Sequence, residues 1–199
     1  MMTLSQLVYI VVLTIVLPLT MKLQALSYPH PTLTPIEGKP TALTLRGLRR
    51  EIYANARNIP SVANGNRGLL GAIMPPAEYQ NLPGVNAPFV VPPAPGNPPL
   101  NAANIQELLV NQQAYNESKE VYSTYIQMGI DLKKQILEAV DEVYVEALRD
   151  DVHGYADVEA AAILQHLFDE YGEISSADLV ENRKKLTEAW NPDHQKRHF

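Results

Sequence analysis

The sequence predicts a mainly α-helical protein, in which a small bundle of about four helices follows a proline-rich extended region and an N-terminal hydrophobic segment. Apolar residues beyond residue 104 recur at the three- and four-residue spacing of amphipathic helices. Fourteen of the 16 prolines lie between Pro29 and Pro99, where they block helix interiors and central strands. Residues 1–21 carry no charged side chain. These three patterns set the order of the elements along the chain.

The first predicted element is a hydrophobic segment over residues 1–27, whose apolar centre lies at residues 4–20. A membrane-spanning helix needs roughly 20 apolar residues, and Thr14 and Pro18 interrupt this run. A signal peptide begins with positive charge, yet no charge precedes Lys22. Three interpretations therefore stay open: a signal peptide, a membrane anchor, or upstream sequence that is not part of the working protein.

The second element, residues 28–103, is predicted to be extended, with one short helix near residues 44–59. The apolar positions of that helix have helical spacing and are Leu45, Leu48, Ile52 and Ala56. Thr44 is the predicted N-cap, and Pro60 stops the helix. The basic residues around it are Arg46, Arg49, Arg50 and Arg57. This basic face could meet an acidic surface of a partner, although a solvated face is the favoured interpretation.

Two further stretches of the proline-rich region are predicted to be irregular. Residues 64–71 contain three glycines but lack the Lys-Ser/Thr ending of a phosphate loop, so they are predicted to form a turn. Residues 75–100 are predicted to be an extended connector with polyproline II stretches.

The third element, residues 104–191, is the predicted helical domain, and residues 192–199 form a tail. Its first helix is expected to end at Met128, and Gly129 is expected to separate it from a second helix over residues 130–149. The second helix has the strongest apolar periodicity of the chain. Its apolar stripe comprises Ile136, Leu137, Val140, Val143, Tyr144, Ala147 and Leu148.

Capping signals define the last two predicted helices. The third is expected to begin near Asp157, a good N-cap, and to end at Gly172. The fourth is expected to begin at residues 175–178, which have the spacing of a capping box, and to end before Pro192. Because the connections are short, neighbouring helices should pack as antiparallel or steeply crossed pairs.

Composition and motifs predict no enzyme, no cofactor and no metal site. The chain has no cysteine, which excludes disulfides, thiolate catalysis and cysteine-based zinc sites. Its net charge of -6 argues against a general affinity for nucleic acid. His166 is expected to be a partly buried histidine, since no second metal ligand lies three or four residues away. We therefore expect a protein that binds or assembles.

An acidic stripe in the predicted helical domain has two interpretations, a carboxylate metal site and a solvated face. It comprises Glu138, Asp141, Glu142 and Glu146. Di-metal helical bundles use Glu-x-x-His pairs on two helices, and only residues 150–153, in a predicted turn, come close to that pattern. A solvated face is therefore the favoured interpretation of the stripe.

Four stretches of the sequence resemble those of a known protein family: Pro29–Ile36, Leu132–Asp141, Tyr171–Ile174 and Trp190–Asp193. In these stretches the chain resembles Gag-like proteins of copia-type LTR retrotransposons, over residues 29–193. The resemblance implies a structural, capsid-like protein of the cytoplasm that self-associates through helical faces. Its main partner would then be a second copy of itself. The candidate assembly contacts under this interpretation are Tyr144, Leu148, Phe168, Tyr171 and Trp190.

Three departures from the family pattern limit what the resemblance implies. The family continues with further helices after the Trp-Asn-Pro-Asp block, whereas here only residues 194–199 follow. A zinc knuckle is missing together with cysteine. The family start lies closer to Met21 than to Met1. We therefore expect a copy truncated at the C-terminus, for which RNA is a weakly supported partner.

The alternative hypothesis is a membrane-anchored or secreted helical protein-binding module. Residues 29–100 would form its stalk, and residues 4–20 would provide its contact with the membrane.

Overall fold

The computed structural model describes residues 26–99, 103–173 and 176–189, and this part of the chain is mainly helical and contains no β-strand. Its α-helices are α1 (Ala42–Asn58), α2 (Pro76–Gln80), α3 (Ile105–Ala139), α4 (Ala160–Tyr171) and α5 (Ser176–Ala189). Short 3-10 turns occur at Leu70–Ala72, Glu142–Tyr144 and Glu146–Leu148. The predicted mainly helical fold class is confirmed.

Helix α1 begins with a reciprocal pair of threonines. The Thr44 amide donates to Thr41 Oγ1 at 3.3 Å, and the Thr41 amide donates to Thr44 Oγ1 at 2.9 Å. This capping box satisfies two amides that the first turn leaves unpaired. The prediction that Thr44 is the N-cap was therefore wrong, because Thr41 holds that position. The helix ends at Asn58, next to Ile59 and Pro60, close to the predicted end.

The apolar face of α1 lies at the centre of the main core. The buried side chains of this core include Leu45, Leu48, Ile52 and Ala56 from α1, Met128, Leu132 and Ile136 from α3, and Ile163, Leu164 and Leu167 from α4. Leu33 and Ile36, from the proline-rich region, belong to the same core. Burial of each large aliphatic side chain contributes about 1.5–3 kcal/mol. The core thus contains residues from both sides of residue 103, where the sequence suggested a domain boundary.

Helix α3 corrects the prediction of two helices separated by Gly129. It runs without interruption for 35 residues, because one glycine inside a helix costs only about 1 kcal/mol relative to alanine. The helix ends where Val140 turns extended, and the Ile36 amide donates to the Ala139 carbonyl at 2.7 Å. Residues 142–148, predicted to continue a helix to Arg149, form two 3-10 turns instead.

The boundaries of α4 and α5 follow their sequence signals only in part. Glu159, rather than the predicted Asp157, is the N-cap of α4, because residues 155–157 form a turn. At the other end, the Gly172 amide donates to the Phe168 carbonyl at 2.9 Å, at the predicted stop. The predicted cap of α5 at Ser175 lies outside the described residues.

The segment between α1 and α3 folds back onto the core. Residues 64–71 form the predicted turn, in which Gly65 and Gly68 have positive φ angles of 56° and 54°. At Gly68 a Cβ would also collide with the Arg57 carbonyl, so this position needs glycine. Across the turn, the Val90 amide donates to Asn64 Oδ1 at 2.9 Å. The predicted connector at residues 75–100 thus includes the short helix α2 and is fastened to the preceding turn.

Two predicted elements lie wholly or largely outside the described residues: the hydrophobic centre at residues 4–20 and the tail at residues 192–199. Within the described residues, no helix is long and apolar enough to cross a membrane.

Candidate functional site

The predicted assembly contacts lie mostly against the chain's own core. Tyr144, Leu148, Phe168 and Tyr171 are half-buried and pack on the main cluster. The rings of Tyr144 and Tyr171 meet edge to face with centroids 5.4 Å apart, a geometry that aromatic pairs favour. Trp190, the fifth predicted contact, lies outside the described residues. Much of the apolar surface of the four described side chains is therefore already used within one chain.

The N-terminal part of α3 has the opposite character. No residue of this helix before Met128 is fully buried, and residues 105–127 extend for about 34 Å at 1.5 Å per residue. Tyr125, near the end of this length, packs against the main core. Large apolar side chains are exposed along this length, among them Ile105 at 78%, Leu109 at 64% and Val110 at 60%. Single exposed apolar residues are ordinary, but a run of them on one unpacked helix marks a binding surface.

One stripe of this surface repeats every seven residues. Leu108, Tyr115 and Tyr122 form one row, and a second row between them consists of Asn111, Ser118 and Tyr125. Side chains at these offsets share one helix face, as at the a and d positions of a coiled coil. We name these six residues the α3 stripe. Leu108 is exposed and the other five residues are half-buried, with Tyr125 packed against the main core.

Asn104 secures the start of the helix that carries the stripe. The Asn104 side chain accepts a hydrogen bond from the Glu107 amide at 2.9 Å, and Glu107 Oε2 accepts one from the Ala103 amide at 2.8 Å. These contacts satisfy amides of the first turn, and the Glu107 carboxylate interacts favourably with the helix dipole. The exposed part of α3 thus begins with a defined cap.

A second surface is a cleft beside α1 with a volume of about 660 Å³. Its charged lining residues are Arg46, Arg49, Arg50, Arg57, Arg67 and Glu78. We name it the arginine cleft. Four of the arginines lie on α1, where the sequence predicted a basic face. Arg67 comes from the turn that follows, and only the tertiary fold brings it alongside them.

Two of these arginines are held in place by neighbouring groups. Arg49 pairs with Glu78 at 3.7 Å, and its guanidinium carbon lies 4.7 Å from the centre of the Phe168 ring. Arg67 donates to the Pro83 carbonyl. Burial, with a smaller contribution from Glu78, raises the pKa of Tyr53 in the cleft to about 12. The Tyr53 hydroxyl is therefore neutral at physiological pH and adds no charge to the cleft.

A buried polar cluster positions α1 against α3. Asn55 is fully buried, and its Nδ2 donates to Gln135 Oε1 at 2.9 Å and to the His30 carbonyl at 2.7 Å. The His30 amide returns a hydrogen bond to Asn55 Oδ1 at 2.8 Å. Buried polar groups require such partners, because an unmade bond costs about 1–3 kcal/mol. No local pattern predicts this cluster, since its members are 25 and 80 residues apart.

A second polar contact fixes the proline-rich strap at residues 28–36 to the same helix. Thr34 donates from its amide and its hydroxyl to the two carboxylate oxygens of Glu51, at 2.8 and 2.7 Å. Burial disfavours the ionised carboxylate, but these hydrogen bonds outweigh burial and hold the pKa of Glu51 below its usual value. Glu51 is therefore a structural anchor on α1.

The acidic stripe lies on the surface next to the end of α3. Its residues Glu138, Asp141, Glu142 and Glu146 are all exposed. Glu142 pairs with Arg149 at 3.0 Å, and Glu138 pairs with Lys134 at 3.7 Å. His166 is half-buried on α4. Within the described residues, no group of three histidine, aspartate or glutamate side chains is placed to hold a metal ion.

No protein-family model, no curated protein and no solved structure matches this chain. The resemblance to Gag-like proteins therefore stays a prediction from the sequence.

Proposed function

We propose that this chain is a non-enzymatic assembly protein that associates with copies of itself through the α3 stripe. The observation that carries the proposal is the exposed apolar surface along residues 105–124, none of which belongs to the core of the described chain. A helical segment without tertiary packing gains little stability in water. Pairing two such segments would bury their apolar side chains and stabilise both.

The composition of the stripe supports pairing between copies. Tyrosines are frequent in interfaces, because each buries a large ring while its hydroxyl stays hydrated. Asn111 lies in the same register as the apolar rows, and a single asparagine at such a position fixes the register and number of strands in coiled coils. The stripe therefore favours a defined pairing over unspecific adhesion.

We further propose a capsid-like role in the cytoplasm, on the resemblance of residues 29–193 to Gag-like proteins. A mainly helical protein is compatible with such a role. This proposal replaces the candidate contacts that were inferred from the sequence. The α3 stripe takes the part that was assigned to Tyr144, Leu148, Phe168 and Tyr171, whose rings and side chains already pack against the chain's own core.

The test is sedimentation velocity of the full-length chain over a range of concentrations. Replacing Leu108→Glu together with Tyr115→Glu places like charges at the centre of the proposed contact, and the chain should become monomeric. The matched control is Gln106→Glu with Gln113→Glu, which adds the same charge at the same spacing on the opposite face and should leave association unchanged. A wild-type chain that stays monomeric at high concentration would contradict the proposal.

A further inference from the structure

The arginine cleft concentrates positive charge on a chain that is negative overall. Five arginines line it against a single glutamate, whereas the whole chain carries a net charge of -6. Arg46, Arg50 and Arg57 are exposed, and none of the ion pairs within the described residues includes them. Guanidinium groups bind carboxylates in a planar, two-bonded geometry. The cleft is thus equipped for an anionic partner that the described chain does not itself supply.

The complementary surface lies elsewhere on the same chain. Residues 138–151 contain six acidic residues and one basic residue, Arg149, and all six acidic side chains are exposed. We name this stretch the acidic segment. Arg149 neutralises only Glu142, at 3.0 Å. Within the described residues no ion pair joins the acidic segment to the arginine cleft, so the two opposite charges are not used against each other inside one copy.

We propose that the arginine cleft of one copy receives the acidic segment of a second copy. This inference rests on the proposed self-association and adds a second contact to it. Charge complementarity of the two surfaces favours a second copy over nucleic acid as the occupant. A long phosphate backbone would extend beyond the cleft along a chain whose net charge is -6, whereas the acidic segment carries its negative charge over a short stretch.

The geometry of this contact differs from that of the α3 stripe. The cleft and the acidic segment are different surfaces, so a pair joined by one such contact keeps a free cleft on one copy and a free segment on the other. Such a heterologous contact continues into rings or filaments, whereas a contact between two identical surfaces closes at a dimer. The two contacts together would build an extended assembly from one chain. Exposed ion pairs each change affinity only a few-fold and weaken in salt, so this contact sets orientation more than strength.

The experiment separates this contact from the α3 stripe by using two variants of the full-length chain, both of which also carry Leu108→Glu and Tyr115→Glu. One variant carries Arg46→Glu with Arg50→Glu in the cleft, and the other carries Glu146→Arg with Asp151→Arg in the acidic segment. A mixture of the two retains one native contact, from the unaltered segment of the first to the unaltered cleft of the second. Fluorescence titration should show that the mixed pair binds at least tenfold more tightly than either variant binds itself.

Several controls keep the result decisive. The mixed complex should weaken at high ionic strength, and circular dichroism should show that each variant is folded. Arg183→Glu, which makes a single charge reversal outside both surfaces, should bind its partners as the unreversed chain does. A mixed pair no tighter than the homotypic pairs overturns the inference, while the α3 stripe test stands on its own result. Binding of a single-stranded RNA oligonucleotide to the cleft without any mixed complex also overturns it.

Discussion

The two parts of helix α3 differ in what surrounds them, although both are rich in apolar side chains. Residues 105–127 have no buried member, whereas Met128, Leu132, Gln135, Ile136 and Ala139 are all buried within the last 12 residues. The first part has a capped start, and Tyr125 near its end packs against the main core. The second part packs against α1 and α4. The helix thus joins a segment that lies in the core to a segment whose apolar side chains are largely exposed.

This difference teaches that helical periodicity does not reveal which partner an apolar face has. Leu108 and Leu132 lie in one continuous helix, yet Leu108 is 37% exposed and Leu132 is fully buried. The core that covers Leu132 comes from α1 and α4, both distant in the sequence. Within the described residues, α1 and α4 do not cover residues 105–124, and this exposed surface is the basis of the proposed assembly.

The largest expected effect compares these two leucines directly. Leu132→Ala should destabilise the fold by about 2–5 kcal/mol, because it removes buried methyl groups and leaves a cavity. Leu108→Ala in the dilute monomer should change stability by less than about 0.5 kcal/mol, since its side chain is exposed and lies outside the core clusters. Urea unfolding at low concentration measures both free energies of unfolding. Equal losses at the two positions would show that residues 105–127 are packed within one chain.

The second prediction concerns the polar cluster that holds the packed part of α3 in place. Asn55→Leu removes three hydrogen bonds and leaves the buried Gln135 side chain and the His30 backbone without their partner. We expect a loss of about 2–3 kcal/mol in the free energy of unfolding, from unsatisfied buried groups. The control is Asn58→Leu, whose exposed side chain makes one hydrogen bond to the Ser27 carbonyl and should cost at most about 1 kcal/mol. A loss at Asn55 no larger than that at Asn58 would contradict the role of the cluster.

The elements that the sequence predicted correctly are those whose signals are local. The spacing of Leu45, Leu48, Ile52 and Ala56 identified α1 and its buried face, because the same apolar pattern indicates both the helix and the side of it that packs inward. Positions 142–148 were assigned to a helix on the same kind of pattern and form 3-10 turns instead. Val140, Val143 and Val145 are β-branched and lower the helix propensity of this stretch. The prediction followed the apolar spacing and gave this low propensity too little weight.

The candidate surfaces, too, could be predicted only as far as their signals are local in the sequence. The four arginines of α1 were visible as a basic face, but the cleft also needs Arg67 and Glu78, which only the fold places beside them. The apolar residues of the α3 stripe were all apparent in the sequence, but the sequence did not show that none of them is fully buried. Exposure depends on which elements reach a surface, and contacts such as that from Ile36 to Ala139 join residues about a hundred positions apart.

The smallest predicted effect tests the junction between the two parts of α3. Gly129 lies inside the helix, and a Cβ added there would meet no heavy atom within 4 Å. Gly129→Ala should therefore stabilise the fold by about 0.5–1 kcal/mol, because alanine loses less backbone entropy in a helix. Gly47→Ala is a matched control, since Gly47 is also inside a helix with no atom within 4 Å of its Cβ position. Similar gains at both sites, measured by urea unfolding, would support one continuous helix. A gain at Gly47 with a loss at Gly129 would mean that the helix breaks where the sequence first suggested, and the α3 stripe would then be free to turn relative to the core.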